Sequence, residues 1–187
     1  MIDMLTSDGS EDDWVSRARA GDRKAFSELV RSHQKSVYRY LLRMLGSHDE
    51  AMELTQEAFI KVWQALPQWR PEAQFRTWLL RIANNTALDV LRHRKLIEFV
   101  PLEDSFDAPG SEPDPEHQAQ VSQEVRQLDV SLKKLAPEHR QILLLREVEE
   151  MSYEEIGSVL SLNEGTVKSR LARARAALLE IRLRSRS

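Results

Sequence analysis

Apolar positions along this chain recur at intervals of three and four, with no sustained alternation of period two, the pattern of amphipathic helices. Leu54, Ala58, Val62 and Leu66 form one stripe. Leu79, Ile82, Ala83, Leu88 and Leu91 form a second that slips by one position, and Leu128, Leu132 and Leu135 form a third. An all-α chain follows.

Start and stop signals divide the first half. Asp12 to Ser32 and Gln34 to Leu45 read as two helices, with Gly46 as a C-terminal stop. Ser47 followed by Glu50 is a capping-box pair that opens a third helix to about Leu66, and Pro67 and Pro71 end it. The fourth runs from Phe75 to about Arg94. Four helices over residues 10–96 suffice for one bundle core.

Composition then changes. Seven acidic residues and no Lys or Arg lie between Glu98 and Glu116, where four of the 7 prolines also fall. Residues 97–116 therefore read as a flexible acidic linker. Helices restart near His117, run to about Leu135, and restart again at Pro137, a residue suited to the first helical position. The face of that last helix is Ile142, Leu143, Leu145 and Val148. Residues 117–187 form a second small helical domain.

Within it, Ser152-Tyr153-Glu154-Glu155 is a capping box opening a helix at 153–160. Gly157 sits where two helices must approach closely, Ser161-Leu162-Asn163 makes a turn, and Asn163 caps a helix from 164 to about 183. With Ile156, Leu160, Val167 and Leu171 facing inward, this is helix-turn-helix spacing. The outward face of the second helix carries Lys168, Ser169, Ala172, Arg173 and Arg175, with Thr166 and Arg170 beside it. Donors for base edges and cations for phosphates are what a major-groove helix needs.

The formal net charge is -3, from 27 Lys and Arg against 30 Asp and Glu, so any nucleic-acid surface is local. The free chain should bind duplex DNA poorly, because few phosphates can be neutralised at once. The absence of Cys excludes disulfides, thiolate zinc sites and Cys nucleophiles. No Glu-x-x-His pair, phosphate loop, dinucleotide fingerprint or nucleophile elbow occurs, so neither an enzyme nor a cofactor is expected. No run reaches the length of a membrane span and no signal peptide is visible, so a cytoplasmic protein is the expectation.

The segment Phe75 to Lys95 mixes aromatics, amides and cations, a combination suited to unstacked single-strand bases. The run Asp49 to Leu66, followed by Phe75-Arg76-Thr77-Trp78-Leu79 and Ile82-Ala83-Asn84-Asn85, resembles region two of bacterial RNA polymerase sigma factors of the extracytoplasmic-function group. Leu135-Ala136-Pro137, Ser152-Tyr153-Glu154-Glu155-Ile156 and Gly165-Thr166-Val167-Lys168-Ser169-Arg170 resemble their region four.

The resemblance implies a transcription initiation factor with no small-molecule substrate, whose partners are core RNA polymerase and promoter DNA, duplex and melted. It implies that Leu54, Gln56, Glu57, Ile60 and Trp63 dock on the polymerase clamp, and that the face from Ile142 to Val148 docks on the flap. Asn85 falls at the position of a flipped-base pocket, with Asn84, Thr86, Asp89, Arg92 and Arg94 nearby. Thr166, Lys168, Ser169, Arg170, Ala172, Arg173 and Arg175 would read the minus-thirty-five element. Control by an anti-sigma factor is a further expectation. The alternative from the residues alone is a two-domain regulator that binds DNA as a dimer through its helix-turn-helix.

Overall fold

The computed structural model describes residues 9–98 and 123–185, and among them every regular element is helical. The first module holds α1 (Glu11–Arg19), α2 (Arg23–Leu45), α3 (His48–Ala65) and α4 (Phe75–Glu98), with a 3₁₀ turn at Leu66–Gln68. The second holds α5 (Gln123–Lys133), α6 (Pro137–Leu143), a π turn at Leu144–Val148, α7 (Tyr153–Leu160) and α8 (Glu164–Arg184). Most of the expected linker, and the expected helix start near His117, lie outside the described residues.

The predicted break near His33 is not there; the chain breaks at Ala20-Gly21-Asp22. Gly21 takes φ +94°, which a side chain would resist. Asp22 then caps α2 by accepting from the backbone N–H of Lys24 at 2.8 Å and Ala25 at 3.2 Å. His33 sits in mid-helix, buried, with Nε2 3.1 Å from the Glu11 carboxylate. One long α2 thus spans the bundle, and Gly46 ends it.

The capping box at α3 is only half formed. Ser47 Oγ accepts from the Glu50 N–H at 3.4 Å, but the Glu50 carboxylate is held by Arg94. The stripe Leu54, Ala58, Val62 and Leu66 faces inward as the periodicity requires. Tyr40, Leu41, Met44, Leu79 and Leu80 complete that core.

In the second module Pro137 opens α6 at its first turn, and the Ser152 capping box is complete. A Cβ on Gly157 would stand 2.6 Å from the Leu162 carbonyl oxygen, so only glycine fits this approach of α7 to the turn. Asn163 Oδ1 accepts from the Thr166 N–H at 2.8 Å and starts α8. Val167, Leu171 and Ala174 face the core beside Ile142, Leu145, Met151 and Ile156.

The two modules pack together. The contact runs along α2, where Ser36, Tyr40 and Met44 are spaced one turn apart. Ser36 Oγ donates to the Glu149 carboxylate at 2.6 Å, and Arg140 donates to the Met44 carbonyl. Arg43 pairs with Asp129 at 3.5 Å, Lys133 donates to the Gly46 carbonyl at 3.4 Å, and α7 lies on α4.

Candidate nucleic-acid interface

On α4 the two adjacent asparagines are split between core and solvent. Asn84 is 1% exposed and its Oδ1 accepts from the Tyr40 hydroxyl at 2.8 Å. Burial, and secondarily the Glu149 carboxylate, push the Tyr40 hydroxyl up far enough that it stays a neutral donor. Asn85, one residue on, points to solvent. The pairing of Asn84 with Asn85 on a DNA face is therefore corrected: Asn84 is an internal anchor, and its neighbour is presented by it.

Thr86 is also internal. Its Oγ1 donates to the Ile82 carbonyl at 2.9 Å and accepts from Lys61 at 3.4 Å. Asp89 and Arg92 stand exposed, paired with each other at 3.2 Å. Arg94 is half-buried, held by Glu50, with a contact of 3.4 Å to the Leu45 carbonyl, so it braces α4 on α2 and α3. Of the residues predicted on α4, Asn85, Asp89 and Arg92 face outward.

The loop before α4 adds a feature the helical pattern could not reveal. Trp69 stacks on Trp78 with ring centres 5.0 Å apart and planes at 21°, and both contact Phe75. Beside them a cavity of about 420 Å³ is lined by Trp69, Arg70, Trp78, Arg81 and, from α7, Ser158. The Arg81 Nε has no bonding partner among the described residues. The sequence signal for this feature is the Trp-Arg-Pro run at 69–71, of which only Pro71 enters the pattern, as a helix end.

On α3, Leu54 is 5% exposed and belongs to the core, and Trp63 lies against Phe26 with ring centres 4.8 Å apart. Leu54 leaves the candidate docking set, while Trp63, half-buried, stays at its edge. Gln56 and Ile60 remain outward, and Glu57 pairs with Lys61 at 2.6 Å at their edge. Met52, unnoticed in the pattern, completes a stripe with Gln56 and Ile60 at spacing four; Met52 and Ile60 are each 57% exposed. In the second module the expected docking face fails for the same reason as Leu54. Ile142, Leu143 and Leu145 are buried, and only Val148 reaches solvent.

The outward face of α8 is as predicted. Lys168, Ser169, Ala172, Arg173 and Arg175 are exposed, and Thr166 and Arg170 are half-buried. Lys168 lies 3.9 Å from Glu164 and over the Tyr153 ring, with 5.7 Å to its centre. Arg173 Nε donates back to the Ser169 carbonyl at 3.3 Å. Arg175 donates to the Glu147 carboxylate at 2.7 Å, a hydrogen bond that holds its guanidinium more firmly protonated. No group of His, Asp and Glu able to hold a metal occurs among the described residues, and no described helix is long and apolar enough to cross a membrane.

Residues 29–97 match the Sigma-70 region 2 family, and residues 126–178 match Sigma-70, region 4. The ECF RNA polymerase sigma factor SigE of Mycolicibacterium smegmatis is 39% identical over 162 residues, covering 84% of this chain and 63% of that protein. The RNA polymerase sigma-H factor of Pseudomonas aeruginosa is 36% identical over 94% of each chain. Among solved structures, CnrH in complex with the cytosolic domain of CnrY gives a TM-score of 0.70 at 25% identity, covering 93% of this chain and 97% of that one. The sigma factor RpoE of Bartonella quintana, solved with the anti-sigma factor NepR, gives 0.66 at 22% identity, over 84% of this chain and 96% of that one.

Proposed function

This chain belongs to the extracytoplasmic-function (ECF) group of the sigma-70 family, and we propose on that premise how its two modules divide the work of transcription initiation. As a sigma factor it binds core RNA polymerase and directs it to a promoter through a minus-ten and a minus-thirty-five element, helping to open the duplex. In our reading Met52, Gln56 and Ile60 of α3 meet the polymerase clamp. Asn85 meets an unstacked base of the minus-ten element, with Arg92 toward the backbone. Lys168, Ser169, Ala172 and Arg173 of α8 enter the major groove at the minus-thirty-five element, while Thr166, Arg170 and Arg175 serve phosphates at its edges.

The observation that carries this reading is the division of the asparagine pair. A polar residue anchored at 1% exposure fixes the rotation of α4 and leaves its neighbour free for a base. Extruding a base costs a few kcal/mol, so strand opening here is a binding process that needs no catalytic acid or base. Ala172 offers a thymine methyl a small apolar contact. The outward apolar side chains Met52, Ile60 and Val148 suit an anti-sigma factor, which would compete with polymerase for them.

Reconstituted run-off transcription tests the proposal. Core polymerase with this chain should start at defined sites on a genomic promoter library, and Asn85→Ala should lower open-complex formation without changing core binding. No template-specific start above core alone refutes it. A symmetric dimer on a palindromic site would favour the dimeric regulator.

A further inference from the structure

Glu149 lies at the junction of the modules with its side chain 3% exposed. Its carboxylate accepts from Ser36 Oγ of α2 at 2.6 Å and from Arg76 Nη2 of α4 at 2.6 Å. The same Arg76 nitrogen donates to the Glu149 backbone carbonyl at 2.9 Å. The residue is delivered there by an unusual turn. The helix after α6 widens into the π turn at Leu144–Val148, closed by Glu149 N–H to the Leu144 carbonyl at 3.0 Å. Glu150 then adopts φ 56°, sparsely populated for a non-glycine residue. π turns and such backbone positions cluster at functional sites and switch regions.

We propose that Glu149 is the latch of a closed state of the free chain, a contact that must release before both modules can engage a promoter. That consequence rests on the sigma-factor reading; the latch itself is a property of the free chain.

Reach shows why the contact must release. Ser158 and Arg81 line one cavity across the junction. Lys168 follows Ser158 by ten residues, five of them in α8, and Asn85 follows Arg81 by four in α4. With about 1.5 Å per helical residue and at most about 3.6 Å elsewhere, the two DNA faces lie within roughly 45 Å, allowing about 10 Å for the cavity. Elements centred 25 base pairs apart are separated by about 85 Å of duplex at 3.4 Å per pair. The packed arrangement cannot span them.

The chemistry of the contact suits release. A buried ion pair sets geometry more than it adds stability, because separation returns both charges to water. Arg76 is already 34% exposed. Removing Glu149 therefore leaves the open state untouched and strips the closed one of its carboxylate. Arg140, whose guanidinium serves Leu132, Lys133, Leu135 and Met44 carbonyls, works from the second module as a hinge plate rather than a latch. Most of its bonds are internal to that module and survive opening.

The full chain has no Cys, so a spin-label pair can be placed cleanly by Ser16→Cys on α1 and Glu154→Cys on α7. Pulsed electron-electron resonance on the otherwise unaltered chain should give one short, narrow distance. Glu149→Ala should lengthen and broaden it, and Arg76→Ala, made from the other module, should do the same. The double variant should open no further than either single one. Circular dichroism reports whether a variant has lost its helices; if Glu149→Ala has, Arg76→Ala and Ser36→Ala decide. Association of labelled chain with core polymerase should be at least about threefold faster in the opened variants, since a binding-competent state only fractionally populated lowers apparent affinity in proportion.

A long, broad distance in the chain that keeps Glu149, Arg76 and Ser36, or one unchanged by Glu149→Ala and Arg76→Ala, overturns the latch. Opening without faster association overturns its gating role. If the variants open but neither they nor the parent bind core polymerase, the sigma-factor reading fails while the latch stands.

Discussion

The hydroxyl of Tyr40 donates to the side-chain carbonyl of Asn84 at 2.8 Å, across the α2–α4 seam, with both residues at 1% exposure or less. Asn is a poor mid-helix residue, and here its cost is offset by a bond that sets the rotation of α4. Tyr40→Phe strands the Asn84 acceptor in the core and should destabilise the first module by about 1–3 kcal/mol. Asn84→Leu leaves the phenol unpartnered and should cost a similar amount. The double variant should be less unstable than the sum, because neither group is then left without a partner. Urea unfolding of all four chains checks this; strict additivity would show that the bond carries no coupling.

Leu54 and Ile60 lie six residues apart on one helix, the first turned into the core and the second to solvent, at 5% and 57% exposure. Leu54→Ala should cost about 2–5 kcal/mol of stability through lost burial and a cavity. Ile60→Asp should leave the melting temperature within about a degree or two, since exposed changes usually stay within about 0.5 kcal/mol, yet weaken binding to core polymerase at least about tenfold. Calorimetry and a core-binding assay separate the two. Equal loss of stability in both variants would remove Ile60 from the docking face.

How far the sequence reveals this molecule depends on which force acts at each position. Periodicity located the helices because burial enforces it, and the turn chemistry of Ser152, Gly157 and Asn163 was legible because each performs a local task. The expected break at His33 is absent because a carboxylate from α1 satisfies the buried imidazole within a continuous helix, and the chain turns instead at Gly21. Asn84, Thr86 and Leu54 were assigned to surfaces by resemblance, which carries position but not rotation. A shift of 100° per residue decides between core and solvent, and Tyr40, forty-four residues away, decided it for Asn84. The Glu149 junction was illegible: Glu149-Glu150 reads as a solvated acidic pair until α2 and α4 are placed beside it.

At Gly157 a methyl group would meet backbone rather than a flexible side chain, 2.6 Å from the Leu162 carbonyl oxygen. Gly157→Ala must push the turn away from α7 and tilt α8. The expected cost is about 1–3 kcal/mol, the range for overpacking, with minus-thirty-five binding reduced while the first module keeps its stability. Heteronuclear NMR shifts confined to α7, the turn and α8 would bear this out. Unperturbed shifts there would mean that the approach relaxes freely.

Asp22 links acid to the first module. Its carboxylate is held below the usual range, first by the Arg17 guanidinium and then by the Ala25 and Lys24 N–H groups. A depressed folded value means that the contribution is complete above the unfolded carboxylate value, about 3.9, and is lost as pH falls through the lower folded one. Asn caps helices as well as Asp, so Asp22→Asn should retain the cap while losing this acid-dependent part. Stability measured from pH 5 down to pH 2 should fall less steeply in Asp22→Asn than in the parent. Parallel curves would assign the acid sensitivity to other carboxylates.

Arg175 and Glu147 make an ion pair at 2.7 Å with both side chains about half exposed. Such a pair adds little stability, but it occupies a cation at the edge of the face of α8 proposed to meet DNA. Glu147→Gln should release Arg175 to a phosphate. With one more phosphate neutralised, the affinity of the holoenzyme for minus-thirty-five duplex should rise at low salt, and the slope of log K against log salt should steepen by about 1. The parent's thermal stability should be unchanged. Arg175→Ala should move the slope the other way only if Arg175 already exchanges Glu147 for DNA in the bound state. A slope equal in all three proteins would place Arg175 off the duplex and leave Lys168 and Arg173 as the cations that carry the contact.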